Sequence, residues 1–462
     1  MTDLFAARVQ MGTSLAFHIV FAVLGMGLPV LLLITEGLWL RTRNPIYLTL
    51  VRRWSKGFAI LFAVGAVSGT ILSFELGLLW PVFMRYAGGI IGLPFSAEGF
   101  AFFIEAIFLG LYLYGWDRLS PVAHWLTAIP IAISGTASAI FVISANAWMN
   151  SPAGFRIVDG QVVDVDPVAA MFNSAWFQQS LHMVLAAYIA TGLGVAGIYA
   201  WGMLRGRNDA YHRAGLTIAI ALAAVFAPLQ PISGDISARW VADNQPPKLA
   251  ALEGQFQTEA GAALSIGGWP DLKARQTRYS IRIPRLLSLL AYHDPNAVVQ
   301  GLDEWPREDQ PDPRIVHVAF QIMVGIGFGV VGLVAWYWLA AWRNRRKSRG
   351  EGAFPGPWLL RAVVFAAPLG FVAIEAGWVV TEVGRQPWII YQIMRTSEAV
   401  TPVPGQFVAL GGFTLVYVIL AVTLVWLLIR LGRQPLPELA PPPGPPLPEP
   451  SRSNEDPRHA VA

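Results

Sequence analysis

The sequence predicts an all-α integral membrane protein with nine transmembrane helices and one long extracytoplasmic loop between the sixth and seventh. Three observations predict it. Of the 462 residues, 55% are hydrophobic and 13% charged, and the mean hydropathy is +0.50, a balance unlike that of a soluble enzyme. Apolar runs of about 20 residues, each able to cross a hydrocarbon core of about 30 Å, recur along the chain. Only one interior stretch, 233–314, is long and polar enough to fold outside the membrane.

The runs place spans at 11–40, 58–83, 97–113, 125–148, 176–204, 215–232, 316–342, 358–380 and 407–431. The first is too long for the apolar region of a signal peptide and has no cleavage-like ending, so it belongs to the mature chain. Arg41, Arg43, Arg52, Arg53 and Lys56 follow span one; Arg205, Arg207 and Arg213 follow span five; Arg343, Arg345, Arg346, Lys347 and Arg349 follow span seven. Short loops rich in Lys and Arg stay in the cytoplasm. The N-terminus and the even-numbered connections, including the acidic loop around Asp159, Asp164 and Asp166, then lie outside. Nine spans put the C-terminus in the cytoplasm, and parity, not charge, places 233–314 outside. Residues 1–432 form one membrane domain. The Pro-rich segment 433–462 reads as a disordered cytoplasmic tail. The net charge of +4 sits mostly in these loops and reflects topology, not a nucleic-acid partner. The chain has no cysteine, which excludes disulfides, thiolate iron–sulfur clusters and covalent CxxCH haem.

Ionisable groups inside spans are costly and usually functional. The stretch 373–388, AIEAGWVVTEVGRQPW, carries Glu375, Glu382 and Arg385. The two acids are seven apart, which returns to nearly the same helix face about 10 Å further along. An ion pair locking a helix end would explain the stretch; so would a carboxylate ligand or proton acceptor beside a cationic anchor. Depth adds information. At about 1.5 Å per residue, His18, His182 and Met323 lie six or seven residues into spans that enter from outside, and Glu382 lies at the outer end of span eight. All four fall in roughly the outer third of the membrane. Glu75, Glu98 and Glu105 are expected in the same layer. Singly, each has an ordinary explanation: a membrane histidine commonly bonds a carbonyl across a helix interface, and a methionine commonly just packs. Glu98 and Glu105 could be a buried proton-sharing pair. Imidazole, thioether and carboxylate from four spans at one depth argue instead for haem, whose iron accepts His and Met. His317 is a weaker competitor for the position of Met323, while His124, His212, His293 and His459 take no metal role.

Four motifs then carry a resemblance. They are GRQPW at 384–388 with Glu382 before it, QPPKLAALE in the long loop, IMVGIGF at 322–328, and EGFAFFIEAIFLGLYLYGWDR at 98–118. The chain resembles subunit I of the cytochrome bd quinol oxidases, including cyanide-insensitive relatives with a short loop, over about residues 1–432. The resemblance implies two haem b and one haem d, with the third haem either d or a further b. His182 and Met323 are the implied axial pair of the low-spin haem b. His18 and Glu382 are the implied single ligands of the other two, in an order left open. Arg385 would neutralise a propionate or the Glu382 carboxylate, and Trp388 belongs to the same motif. Lys248 and Glu253 match quinol residues, and their spacing is expected to bring both to one ring, where Glu253 could accept a quinol proton. Glu98 and Glu105 match residues relaying protons to the oxygen site, and Asn146 lies among similar family positions. Gln321 stands where the family usually has arginine, which implies a lower potential for the low-spin haem.

The activity implied is quinol oxidation at the outer face with reduction of O2 to water. Protons are taken from the cytoplasm, so charge is separated without pumping. The partners implied are a homologous membrane subunit II, often a small single-helix accessory subunit, quinol and O2, in the bacterial inner membrane. A haem b electron carrier lacking an oxygen site and a proton-coupled transporter using Glu75, Glu98 and Glu105 are the alternatives.

Overall fold

The computed structural model describes residues 2–347, 356–401 and 403–435. Among them, nine helices are long and apolar enough to cross a membrane. The chain begins with α1 (Asp3–Thr42), α2 (Pro45–Leu79), α3 (Pro81–Tyr114) and α4 (Pro121–Asn150). A hairpin of β1 (Arg156–Val158) and β2 (Gln161–Val163), then the short α5 (Pro167–Met171), leads to α6 (Trp176–Leu204). The sixth span is composite: α7 (Ala210–Phe226), a 3-10 turn over Ala227–Leu229, and α8 (Gln230–Asn244). The extramembrane segment holds α9 (Pro246–Glu253) and α10 (Leu286–Tyr292). Its short strands nest as antiparallel pairs: β3 (Glu259–Ala260) with β8 (Val298–Val299), β4 (Leu264–Ile266) with β7 (Ile281–Ile283), and β5 (Trp269–Asp271) with β6 (Gln276–Arg278). The chain then forms α11 (Pro313–Lys347) and α12 (Pro357–Val383). A hairpin of β9 (Trp388–Ile390) and β10 (Met394–Arg395) follows, then α13 (Thr396–Ala399) and α14 (Gln406–Arg433).

Local chemistry marks the helix starts. Proline opens α2, α3, α4 and α12, where its missing N–H costs nothing and its fixed φ suits the first turn. The side chains of Asn44, Ser120 and Asp209 accept the early amides of Ile46, Ala123 and His212, satisfying donors that lack intrahelical partners.

Three sequence expectations need correction. Span three starts at Pro81, not at 97, because the Gly-rich stretch after Phe83 is helical. Phe83, Ala87, Ile90, Ile91 and Pro94 are buried there, and that packing overrides the low helix propensity of Gly and Pro. Span two accordingly ends at Leu79. Span six continues as α8 to Asn244, so the extramembrane segment begins near 245 and not at 233. The segment after 435, which holds nearly all of the expected tail, lies outside the described residues, as does Arg349.

The helices pack as two neighbouring groups. One pairs α1 with α2 and α4, and α3 with α4; the other pairs α6 with α7 and α12, and α11 with α12. A shared core joins them through Leu31, Phe58, Tyr112, Ile131, Leu193 and Leu216. Close approach depends on small residues, as is usual between membrane helices. A Cβ on Gly370 would stand 2.8 Å from Ala190 Cα, and one on Gly27 would collide with the Thr191 side chain. The outer helix α14 lies against α1 and α2 and leaves Phe407, Leu415, Ile419 and Trp426 exposed. The extramembrane unit sits on the site side of this scaffold: Ala250, Ala251 and Leu252 of α9 pack with Val316 and Ala319 of α11 and Ala376 and Val380 of α12.

Candidate functional site

The last turn of α12 and the residues after it form the most connected polar cluster. Glu382 Oε2 accepts from Arg385 Nη2 at 2.6 Å, and Oε1 accepts from Asn146 Nδ2 of α4 at 2.5 Å. Arg385 is buried; its Nε donates to the Trp388 carbonyl at 3.3 Å, and its Nη1 has no partner. Trp388 stacks under Arg395, whose guanidinium carbon lies 4.8 Å from the ring. The network continues into the extramembrane unit. Asn150 Nδ2 donates to Asn146 Oδ1 at 3.2 Å, Lys248 Nζ donates to Asn150 Oδ1 and to the Thr381 carbonyl, both at 3.2 Å, and Gln245 Nε2 donates to the Asn150 carbonyl at 2.8 Å. One continuous chain of bonds therefore joins α9 to the Glu382 carboxylate.

Lys248 and Glu253 are both buried at the two ends of α9. Burial pulls the Lys248 ammonium down to about 7, Arg385 adds to the fall, and Glu382 opposes it. Burial alone raises the Glu253 carboxyl to about 8, and its Oε2 has no hydrogen-bond partner. Five helical residues turn through about 140°, so the two side chains leave α9 in different directions, and no hydrogen bond joins them. Their five-residue spacing therefore does not by itself bring both groups to one ring.

The two histidines have matching surroundings. His18 Nδ1 lies 2.9 Å from Ser68 Oγ of α2, and His182 Nδ1 lies 2.9 Å from Ser233 Oγ of α8. Gln230 Nε2 stands 3.0 Å from His182 Nε2. Met323 is half-buried, and a Cβ on Gly377 of α12 would stand 3.1 Å from its Sδ. Glycine at 377 thus leaves room for the thioether. His317 behaves differently: Nδ1 meets the Leu252 carbonyl at 2.7 Å and Nε2 the Gly267 carbonyl at 3.0 Å. Both ring nitrogens face fixed backbone carbonyls, whereas His182 Nε2 faces only the side-chain amide of Gln230. Gln321 is also committed, accepting from Gly267 N at 2.9 Å and donating to the Ser265 carbonyl at 3.0 Å, so it pins the strand loop to α11.

The acids of α3 separate in depth. A Cβ on Gly135 would stand 3.0 Å from the Gly25 carbonyl oxygen and 3.1 Å from Glu105 Oε1, so Glu105 is level with Gly25. That is seven residues, or about 10 Å, beyond His18 along α1. Glu105 therefore does not share the outer layer as expected, while Glu98, two turns back, returns toward it. Glu105 Oε1 is buried without a partner. Glu75 is fully buried, with Oε1 accepting from Gln10 at 3.0 Å and Ser14 at 2.9 Å. Glu375 is half-buried on α12.

Several members of these networks were not singled out from sequence. Asn150 and Gln245 link α9 to Glu382, and Ser68 and Ser233 hold the imidazoles. A further buried cluster joins Glu36 to Tyr112 and His124, both at 2.6 Å, at the other ends of α1, α3 and α4. Only Gln245 carried a signal, since it opens the QPPKLAALE motif.

The residues suit haem. Among the described residues no three His, Asp or Glu side chains converge as a bare metal centre requires. The buried, unpartnered Arg385 Nη1 suits a propionate.

A Bacillus subtilis protein, provisionally named cytochrome bd menaquinol oxidase subunit I, is 37% identical over 443 residues, covering 94% of this chain and 97% of the relative. Cytochrome bd ubiquinol oxidase subunit 1 of the same organism is 31% identical over 448 residues, covering 93% of each. The solved bd oxidase from Geobacillus thermodenitrificans superposes with a TM-score of 0.86 at 38% identity, covering 94% of this chain and 98% of that one. The profile of cytochrome bd terminal oxidase subunit I matches residues 6–435. With that match and these relatives along nearly its whole length, the chain belongs to the cytochrome bd terminal oxidase subunit I family.

Proposed function

We propose that this chain, with a membrane subunit II, oxidises quinol at the outer face and reduces O2 to water, taking protons from the cytoplasm and separating charge without a pump. The observation that carries the reading is the set of four ligand-type side chains on α1, α6, α11 and α12: two imidazoles, a thioether with a glycine opposite it, and a carboxylate clamped between Asn146 and Arg385. When bound, two haem b and a third haem, d or b, would supply the electron transfer and the oxygen chemistry. His182 and Met323 would hold the low-spin haem b. His18 and Glu382 would each hold one of the others, with Arg385 balancing the carboxylate or a propionate.

The protein's own steps are protonic and positional. Glu253, whose carboxyl burial raises to about 8, accepts a proton from quinol near the end of α9. Lys248, tied to Asn150 and Thr381, fixes that end of the loop against α4 and α12. Glu105 and then Glu98 form two rungs of one face of α3, leading from mid-membrane toward the His18 layer. They would carry protons from the cytoplasmic side outward to the oxygen site. The relatives are named as menaquinol and ubiquinol oxidases; for this chain the substrate is a quinol of either class.

Reduced-minus-oxidised spectra of the purified complex, with and without carbon monoxide, test the proposal. Low-spin haem b bands together with a carbon-monoxide-sensitive high-spin haem are expected. Haem bands indifferent to carbon monoxide would leave an electron carrier without an oxygen site, and absence of haem would leave a transporter.

A further inference from the structure

We infer that Ser68 and Ser233 are positioning residues that fix the tautomer and orientation of His18 and His182, so that each imidazole presents Nε2 as an iron-binding lone pair. The inference rests on the haem reading above and deepens it.

The hydrogen bonds determine the direction of each contact. Ser68 Oγ donates its only proton to the Gly65 carbonyl at 3.0 Å, and Ser233 Oγ donates to the Gln230 carbonyl at 2.9 Å. A hydroxyl whose proton is already used can only accept from the ring. Nδ1 of both His18 and His182, each 2.9 Å from its serine, therefore carries the ring proton. In a neutral imidazole Nε2 is then the acceptor. For His182 a second bond says the same, because Gln230 Nε2 is a donor and stands 3.0 Å from His182 Nε2.

The two sites are built alike although they lie on different helix pairs. Each serine is buried, at 0% and 2% exposure, so water does not compete for the ring proton. Each is followed by glycine. A Cβ on Gly69 would stand 3.0 Å from His18 Cε1, and one on Gly234 would stand 3.6 Å from His182 Cε1. The Ser-Gly pair thus holds one edge of the ring and leaves space beside it. A neutral hydroxyl acceptor gives the imidazole modest extra basicity, less than a carboxylate would. Removing it weakens donation to ferric iron and favours the ferrous state.

The experiment uses the intact complex and measures haem content, midpoint potentials and the iron–histidine stretch by resonance Raman spectroscopy. Ser233→Ala is expected to raise the potential of the low-spin haem alone. Ser68→Ala is expected to raise that of the haem on His18 alone and to lower its iron–histidine frequency. Second-shell losses commonly run about tenfold or more, and a tenfold change in a one-electron equilibrium is about 59 mV. Ser233→Thr and Ser68→Thr, which keep the hydroxyl, are expected to stay near wild type. Loss of one haem in an Ala variant that the matching Thr variant retains also supports the assignment. Ala variants with full haem content and unmoved potentials overturn it, as do Thr variants that behave like Ala. Wild-type protein without haem would instead defeat the functional reading itself.

Discussion

Glu253→Gln tests the quinol-side chemistry most directly. Glu253 is 5% exposed, burial raises its carboxyl to about 8, and Oε2 accepts no hydrogen bond. A base must be ionised to take the quinol proton. With a midpoint near 8, about a tenth of the free enzyme is competent at pH 7 and about nine tenths at pH 9, so kcat/KM should climb roughly tenfold between them. The sign follows from the upward shift: an ordinary glutamate is already ionised at pH 6 and would give a flat profile. Lys248 titrates in the same window, drawn down to about 7, so the substitution makes the assignment. Glu253→Gln should lower kcat/KM and remove the rising limb, while reduced-minus-oxidised spectra stay unchanged. Oxygen uptake with a soluble quinol from pH 6 to 9.5 reads both. A wild-type profile that is flat or falling up to pH 8.5, or a Gln variant that keeps the rising limb, would refute the reasoning.

Four further substitutions follow from the geometry. Met323→Leu should abolish the low-spin haem bands, whereas His317→Ala should keep them. It should also cost on the order of 1–3 kcal/mol by unpairing the Leu252 and Gly267 carbonyls, read as a lower Tm. Gln321→Arg should raise the low-spin haem potential by adding a cation two residues before Met323. It also breaks the bonds to Gly267 and Ser265, so faster proteolysis of the 264–283 loop should accompany it, and an unchanged potential would sink the first expectation. Arg385→Leu removes the cationic partner of Glu382, leaving Asn146, and should lower the content of the haem held there; full occupancy by pyridine haemochrome would count against that ligand.

How much of this was legible in the sequence depends on the range of the interaction. Span number and type follow from hydropathy, which each segment carries alone, and the nine long apolar helices among the described residues match. Sequence and structure differ where local and tertiary signals oppose. The glycines and proline of 88–94 argue against helix, yet α3 runs through them because Phe83, Ile90 and Ile91 pack inward. Glu105, level with Gly25, accordingly lies about 10 Å beyond His18 and not in its layer. His and Glu stand out because ionisable groups are rare inside spans, whereas Met323 stands out only in company with them at one depth. Their supports do not. Serine is common in membrane helices, and nothing within helix α2 marks Ser68 as the group that meets His18, fifty residues away. The link from Lys248 through Asn150 and Asn146 to Glu382 likewise joins three elements by ordinary amides, each unremarkable in its own segment. A buried amide network has value only when every member is paired, and pairing is a property of the assembled bundle. The proposed iron ligands are therefore written in residue types, whereas the groups proposed to orient them are written in which helix lies beside which.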